Sequence, residues 1–185
     1  MGVPVYLGNQ FSTICSFVVI YYIVYCVVLM SWYLRRMIEL NLPTFEYKLK
    51  KTDNKPFIYD IIRKKYIVLT PEEWVRQHFI HLLINQYQYP KALFAVETGL
   101  KYNKMQKRSD ILILSRDGSP FLLVECKAPN IAIRDSTFSQ IARYNFTIQP
   151  QFLAVTNGLN HFCFQARNGK VTYLPDFPKY EMVLE

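Results

Sequence analysis

Two carboxylates and a lysine stand at the ends of two neighbouring apolar segments of the chain. Asp110 opens the segment DILIL, and Glu125-Cys126-Lys127 closes the segment FLLVECK. Between the segments, Arg116-Asp117-Gly118-Ser119 carries the Asp-Gly pair typical of a tight hairpin turn. We therefore predict a two-stranded hairpin that brings Asp110 and Glu125 together at one end of a sheet.

These residue types fit metal-assisted hydrolysis. Side chains alternate across a strand, so Glu125 and Lys127 are predicted to share one face while Cys126 points away. Two hard oxygen ligands suit Mg²⁺ or Mn²⁺, since Mg²⁺ keeps several waters and takes further ligands from a substrate phosphate. Lys127 could orient or deprotonate the attacking water and stabilise charge on the phosphorus. The alternative is a surface salt bridge to Arg108 and Lys127, although a carboxylate ending so apolar a strand is costly without a partner.

A helix start precedes this hairpin. Thr70 as N-cap, Pro71 at the first helical position and Glu73 three residues after the cap form a capping-box pattern. Apolar residues at helical spacing continue the pattern until about Tyr89-Pro90. We predict that this is the first helix of the core, and the capping box by itself accounts for Glu73.

The remaining segments predict an α/β fold in the order α-β-β-β-α-β, with a mixed central sheet flanked by helices and a terminal hairpin. The second helix is predicted from about Ser136 to Ile148. The predicted strands are Leu93–Leu100, Asp110–Leu114, Phe121–Glu125, Phe152–Val155, His161–Ala166 and Val171–Leu174.

An uncharged apolar segment opens the chain, within a leader of residues 1–36. Residues 14–34, ICSFVVIYYIVYCVVLMSWYL, are followed directly by Arg35 and Arg36. A helix of this length spans about the 30 Å of a bilayer core, and the arginine pair would keep the rest of the chain on the cytoplasmic face of the inner membrane. Two alternatives stay open: a buried core helix, or translation starting at Met37, which would leave a soluble cytoplasmic protein.

Residues 37–69 form a basic lead-in segment, predicted to be a hairpin or an arm. Its lysines and arginine alternate with Tyr47, Phe57, Tyr59 and Tyr66. Basic residues among aromatic rings can follow a phosphate backbone, and they can equally be the solvated face of short strands.

The overall charge favours a polyanionic partner. The formal net charge of +8 suits nucleic acid or an anionic membrane surface, without choosing between them. The four cysteines show no CxxC pair and no regular spacing, so neither a disulfide framework nor a zinc site is indicated. Buried free thiols are the simpler interpretation.

Together these motifs resemble a known nuclease superfamily. Asp110 followed by Glu125-Cys126-Lys127 resembles the PD-(D/E)xK motif, and Gln140 and Tyr144 in SQIARYN match the QxxxY motif of one of its branches. Their i, i+4 spacing puts both on one helix face, toward the candidate site. From LTPEEWVRQHF to FLAVTNG the chain is similar to the N-terminal nuclease domain of type I restriction enzyme R subunits, including small stand-alone proteins. The similarity covers most of the chain after about Leu40.

The resemblance implies a restriction-endonuclease-like core in residues 70–185, acting as a Mg²⁺-dependent DNA endonuclease or exonuclease. It makes Asp110, Glu125 and Lys127 catalytic, and it offers Glu73 as a further metal ligand beside the two carboxylates. Gln140 and Tyr144 would contact substrate, and Lys107 and Arg108 form a basic approach to Asp110 that suits phosphates. No helicase motif follows, so no ATP is expected.

One departure from the motif and two alternative functions accompany this interpretation. Asp110 stands in Arg108-Ser109-Asp110 and does not follow a proline. A nucleic-acid-binding module of the same fold that has lost turnover is the main alternative, although Asp110, Glu125 and Lys127 are all present. A membrane-anchored interaction protein is a third possibility, supported by the apolar leader alone.

Overall fold

The computed structural model describes residues 39–96, 110–167 and 169–180, apart from the side chains of residues 141 and 143–147. The apolar segment 14–34 lies outside the described residues, as do Lys107 and Arg108. Within the described ranges, no helix combines the length and the apolar character needed to cross a bilayer.

A small antiparallel sheet precedes the first helix. Its strands are β1 (Leu49–Thr52), β2 (Lys55–Asp60) and β3 (Lys65–Val68), with β2 in the centre. Asp53 and Asn54 adopt positive φ angles of 49° and 61°, which is the conformation that a tight turn between β1 and β2 requires. The lead-in segment is therefore more than the predicted hairpin or arm, because every residue of a third strand, β3, pairs with β2.

Helix α1 (Pro71–Asn85) begins as predicted and ends earlier than predicted. The Thr70 hydroxyl oxygen accepts a hydrogen bond of 3.0 Å from the backbone N–H of Glu73. The helix does not reach Tyr89-Pro90, because Gln88 has a positive φ of 62° that breaks the helical path. Tyr89 is buried instead as a packing residue, and its hydroxyl donates to the Pro178 carbonyl over 2.8 Å.

The second sheet has six strands in sequential order. A short 3₁₀ turn (Lys91–Leu93) leads into it, and helix α2 (Asp135–Ile148) connects the only parallel pair in the described residues, β6 and β7. All other neighbours are antiparallel. The strands are β4 (Phe94–Val96), β5 (Ile111–Leu114), β6 (Pro120–Cys126), β7 (Phe152–Thr156), β8 (His161–Arg167) and β9 (Lys170–Leu174).

Helices cover both faces of this sheet. On one face, Val75 and Phe79 of α1 pack with the strand residues Ile111, Leu122 and Val124. On the opposite face, Phe138 and Ile148 of α2 pack against the alternate strand residues, which are Leu112, Leu123, Leu153 and Val155. This arrangement is a mixed α/β fold, and the predicted order α-β-β-β-α-β with a terminal hairpin is confirmed.

Candidate active site

The β5–β6 hairpin brings the two predicted carboxylates to the same end of the sheet. Ile111 pairs with Val124, so Asp110 lies beside the end of β6. The backbone N–H of Cys126 donates a hydrogen bond of 2.7 Å to Oδ2 of Asp110. This bond fixes the Asp110 carboxylate next to the residue that follows Glu125.

Glu125 is the centre of a group of three polar side chains. Its Oε1 accepts hydrogen bonds from Nζ of Lys127 at 2.6 Å and from Nε2 of Gln140 at 2.7 Å. Cys126 lies on the opposite, α1-covered face in the core. The predicted alternation of Glu125, Cys126 and Lys127 is therefore confirmed. Gln140 lies on the site-facing side of α2, and the side chain of Tyr144 lies outside the described part.

The second carboxylate oxygen of Glu125 has no donor among the described residues. Glu125 is 4% exposed, and its buried Oε2 has no hydrogen-bond partner among the described residues. Burial, reinforced by the negative charge of Asp110, raises the pKa of Glu125, and the contacts of Lys127 and Gln140 offset only part of this rise. A buried carboxylate oxygen without a donor is costly, so this atom is a position where a cation would be favourable.

Lys127 balances part of that charge. Burial alone would lower its pKa, but the hydrogen bond and the charge of Glu125, followed by the charges of Asp110 and Glu72, raise it overall. Its Nζ thus contacts one carboxylate, Glu125 of β6, and is influenced electrostatically by Asp110, just before β5, and by Glu72 of α1.

Arg76 of α1 closes the other side of the site, a residue that the sequence interpretation missed. Its buried guanidinium donates from one nitrogen, Nη2, to Asp110 Oδ1 at 2.7 Å and to Glu72 Oε1 at 3.0 Å. Nη1 contacts Glu73 Oε2. The available signal was a charged residue directly after Val75, one of the apolar residues that recur at helical spacing.

Arg76 also belongs to a longer chain of ion pairs that starts in the small sheet. Arg63 donates from Nε to Asp60 Oδ2 and from Nη2 to Glu73 Oε1, each at 2.6 Å. Gln77 Nε2 bridges the same two carboxylates, with both distances 2.8 Å. We call this series of contacts, Asp60–Arg63–Glu73–Arg76–Asp110, the ion-pair chain. It connects the lead-in sheet, α1 and the hairpin of the candidate site.

This arrangement corrects the interpretation of Glu73. Only half of a capping box forms, because the Glu73 carboxylate turns to Arg63, Gln77 and Arg76, and both of its oxygens accept from those donors. Glu72 instead shares the Arg76 Nη2 with Asp110. Burial, and next the charge of Asp110, raise the pKa of Glu72. Glu72 is therefore the helix carboxylate that lies beside Asp110.

In the part of the chain that the structure describes, the other predicted ligand types do not gather into a metal-binding cluster. Within the described ranges, no group of three or more His, Cys, Asp or Glu side chains is placed to hold a metal ion by itself. Cys126 and Cys163 are buried free thiols, as the composition indicated. Any cation at this site would depend on Asp110, on Glu125 and on ligands from outside the protein.

Comparison with known proteins agrees with the motifs. Residues 71–178, more than half of the chain, match the family described as type I restriction enzyme R protein N terminus (HSDR_N). A solved fragment assigned as an HsdR subunit of a type I restriction enzyme from Vibrio vulnificus YJ016 is 28% identical over 43% of this chain, with a TM-score of 0.35. The match spans only 15% of that solved chain. No match was found among curated proteins. By the family match, the chain belongs to the type I restriction enzyme R protein N-terminal family.

Proposed function

We propose that the chain is a metal-dependent nuclease that hydrolyses phosphodiester bonds, with DNA as the substrate. The observation that carries this proposal is the buried Oε2 of Glu125, which has no hydrogen-bond partner among the described residues. This atom lies in a site that also contains a lysine and a second carboxylate, Lys127 and Asp110. The family, which is named after a restriction enzyme subunit, supports DNA as the nucleic acid that this chain binds. The elements α1, β4, β5, β6, α2 and β7 would then form the restriction-endonuclease-like core.

The donor set fits a hard divalent cation. Asp110 and Glu125 would hold Mg²⁺, or Mn²⁺ in its place. Glu72, and not Glu73, is the α1 carboxylate beside that pair, because it shares Arg76 Nη2 with Asp110. Each oxygen of Asp110 already accepts one hydrogen bond, yet a carboxylate oxygen has a second lone pair to offer. When bound, the cation supplies Lewis acidity and a more acidic bound water.

The protein side chains have separate tasks around that centre. Lys127 is held 2.6 Å from Glu125, where its ammonium group can contact a phosphate oxygen and stabilise developing negative charge. Gln140 of α2 donates to Oε1 of Glu125 and so helps to hold the side chain with Oε2 turned away from Lys127 and Gln140. Lys107, Arg108 and Tyr144 remain proposed substrate contacts.

A binding module without turnover is the second candidate, and one contact favours it. Arg76 donates to Oδ1 of Asp110, so a guanidinium already neutralises one of the two proposed metal ligands. If this pair replaces the cation altogether, the site would bind nucleic acid and leave it intact.

Metal binding and cleavage distinguish the two candidates. The purified full chain is mixed with labelled DNA in chelator, in Mg²⁺ and in Mn²⁺, and Mg²⁺ binding is measured separately by calorimetry. We expect cleavage only with metal, and we expect Glu125→Gln to lose both metal binding and cleavage. Asp117→Asn is the matched control, because Asp117 lies exposed in the turn of the same hairpin. Cleavage in excess chelator, or no Mg²⁺ binding by the unmodified chain, would contradict the proposal.

A further inference from the structure

One face of the lead-in sheet combines aromatic rings with lysines. Lys50 pairs with Phe57, and Tyr59 pairs with Tyr66, so these four side chains lie on the same face of the sheet. Ile58, between Phe57 and Tyr59, points the other way and is fully buried. The exposed face thus carries rings that the core does not use.

The rings and the lysine form a contiguous surface. The centroids of Tyr59 and Tyr66 are 5.3 Å apart at an interplanar angle of 67°. The Lys50 ammonium lies 4.5 Å from the Tyr66 centroid and 5.6 Å from that of Phe57. Tyr66 is 36% exposed, which leaves part of its ring accessible to a ligand.

The surrounding charge is positive. Residues 49–68 contain six basic and two acidic side chains. Of the two acids, Asp60 is buried and paired with Arg63, whereas Asp53 lies in the β1–β2 turn. Lys55 stands two residues before Phe57 on the same side of β2. The exposed face therefore suits a polyanion that also offers flat apolar surfaces.

We propose that this face, defined by Lys50, Lys55, Phe57, Tyr59 and Tyr66, binds an unpaired nucleic-acid strand. Lysines along a sheet neutralise successive phosphates, and exposed rings stack on bases that a duplex keeps paired and covered. The face lies outside residues 71–178, the part matched by the family. The pairs Asp60–Arg63 and Arg63–Glu73 hold its sheet against α1, so the strand would be held at a fixed position relative to that helix.

The test compares two adjacent lysines of β1. Lys50 lies on the ring-bearing face, whereas Lys51 pairs with Pro56 and lies on the opposite one, so Lys50→Ala and Lys51→Ala make the same charge change on different faces. Binding of the full chain to a labelled oligothymidylate, and to a duplex of equal length, is followed by fluorescence anisotropy in chelator. Tyr66→Ala and Tyr66→Phe probe the ring.

We expect Tyr66→Ala to weaken binding to the single strand about tenfold, in the range for one lost stacked base, while Tyr66→Phe retains it. Lys50→Ala should reduce the dependence of the binding affinity on salt concentration by the equivalent of about one phosphate contact, and Lys51→Ala should leave it unchanged. Equal effects of the two lysine variants, unchanged binding in Tyr66→Ala, or preference for the duplex would overturn the proposal. This inference rests on the proposed nucleic-acid function, but the experiments distinguish its failure from the failure of the nuclease proposal. A chain that binds through this face and never cuts refutes only the nuclease proposal.

Discussion

Arg76 Nη2 and Asp110 Oδ1 are joined by a hydrogen bond of 2.7 Å across 34 positions of sequence. This pair attaches the first helix to the hairpin of the candidate site. The same guanidinium also contacts Glu72 and Glu73, so it offsets the charge of three carboxylates. The geometry of Asp110 therefore depends on α1 as much as on its own strand.

Replacing Arg76 should lower the stability of the domain. Arg76→Ala leaves the buried Glu73 without one of its donors and Asp110 without its ion pair, which typically costs about 3 kcal/mol. Urea unfolding followed by circular dichroism measures the free energy of unfolding. Arg116→Ala, in the exposed hairpin turn, should change it by less than about 0.5 kcal/mol. Equal stability of the two variants would show that the ion-pair chain contributes nothing.

Replacing Lys127 should slow cleavage without releasing DNA. The Lys127→Ala variant loses a charge that acts mainly in the transition state, so we expect a rate about 10²-fold lower with nearly unchanged affinity. Single-turnover cleavage and anisotropy measure the two quantities. Lys170→Ala, at an exposed position of β9, serves as the control. Turnover at the unmodified rate would exclude Lys127 from the chemistry.

Replacing Gln140 should free the side chain of Glu125 from one of its two hydrogen bonds. Without the 2.7 Å bond from Nε2, the Glu125 carboxylate can rotate, and we expect Mg²⁺ affinity or cleavage to fall about 10-fold or more. Ser139→Ala, at the exposed neighbouring position of α2, should leave both unchanged. Thermal unfolding of Gln140→Ala checks that the domain stays folded. A variant with normal metal affinity and normal cleavage would reduce the QxxxY match to a packing feature.

Asp60 should make stability depend on pH. Burial by itself raises the pKa of Asp60, but hydrogen bonds from the backbone and side chain of Arg63, the Arg63 charge and Gln77 lower it below the ordinary value of 3.8. A carboxyl with a lowered folded pKa stabilises the fold above the unfolded pKa, and this contribution is lost as the pH falls through the folded value. The free energy of unfolding of the unmodified chain should therefore exceed that of Asp60→Asn by about 3 kcal/mol near pH 7. This difference should become smaller below about pH 4.

The control for this pH dependence is Glu46→Gln, at an exposed position before the same sheet. Its stability should follow that of the unmodified chain at every pH. Chemical unfolding over a series of pH values gives both comparisons. A difference between Asp60→Asn and the unmodified chain that stays constant down to pH 3 would contradict the assigned shift.

Much of the fold follows from local sequence patterns. The Asp-Gly turn between two apolar segments predicted the β5–β6 hairpin, and strand alternation placed Glu125 and Lys127 on one face with Cys126 opposite. Thr70 and Pro71 predicted the start of α1. Each of these depends on residues only a few positions apart, so the chain itself contains the whole signal.

The surroundings of those residues were decided by the tertiary structure. Periodicity indicated no partner for Arg76, and the capping pattern suggested a local role for Glu73, whose carboxylate instead bonds Arg63, ten residues away. The burial of Glu125 Oε2, which has no partner in the part of the chain that the structure describes, depends on α2 and β7 packing around β6. Spacing specifies contacts within one turn or one hairpin, but the burial of a charge and the identity of its distant partner are set only when separate elements pack together.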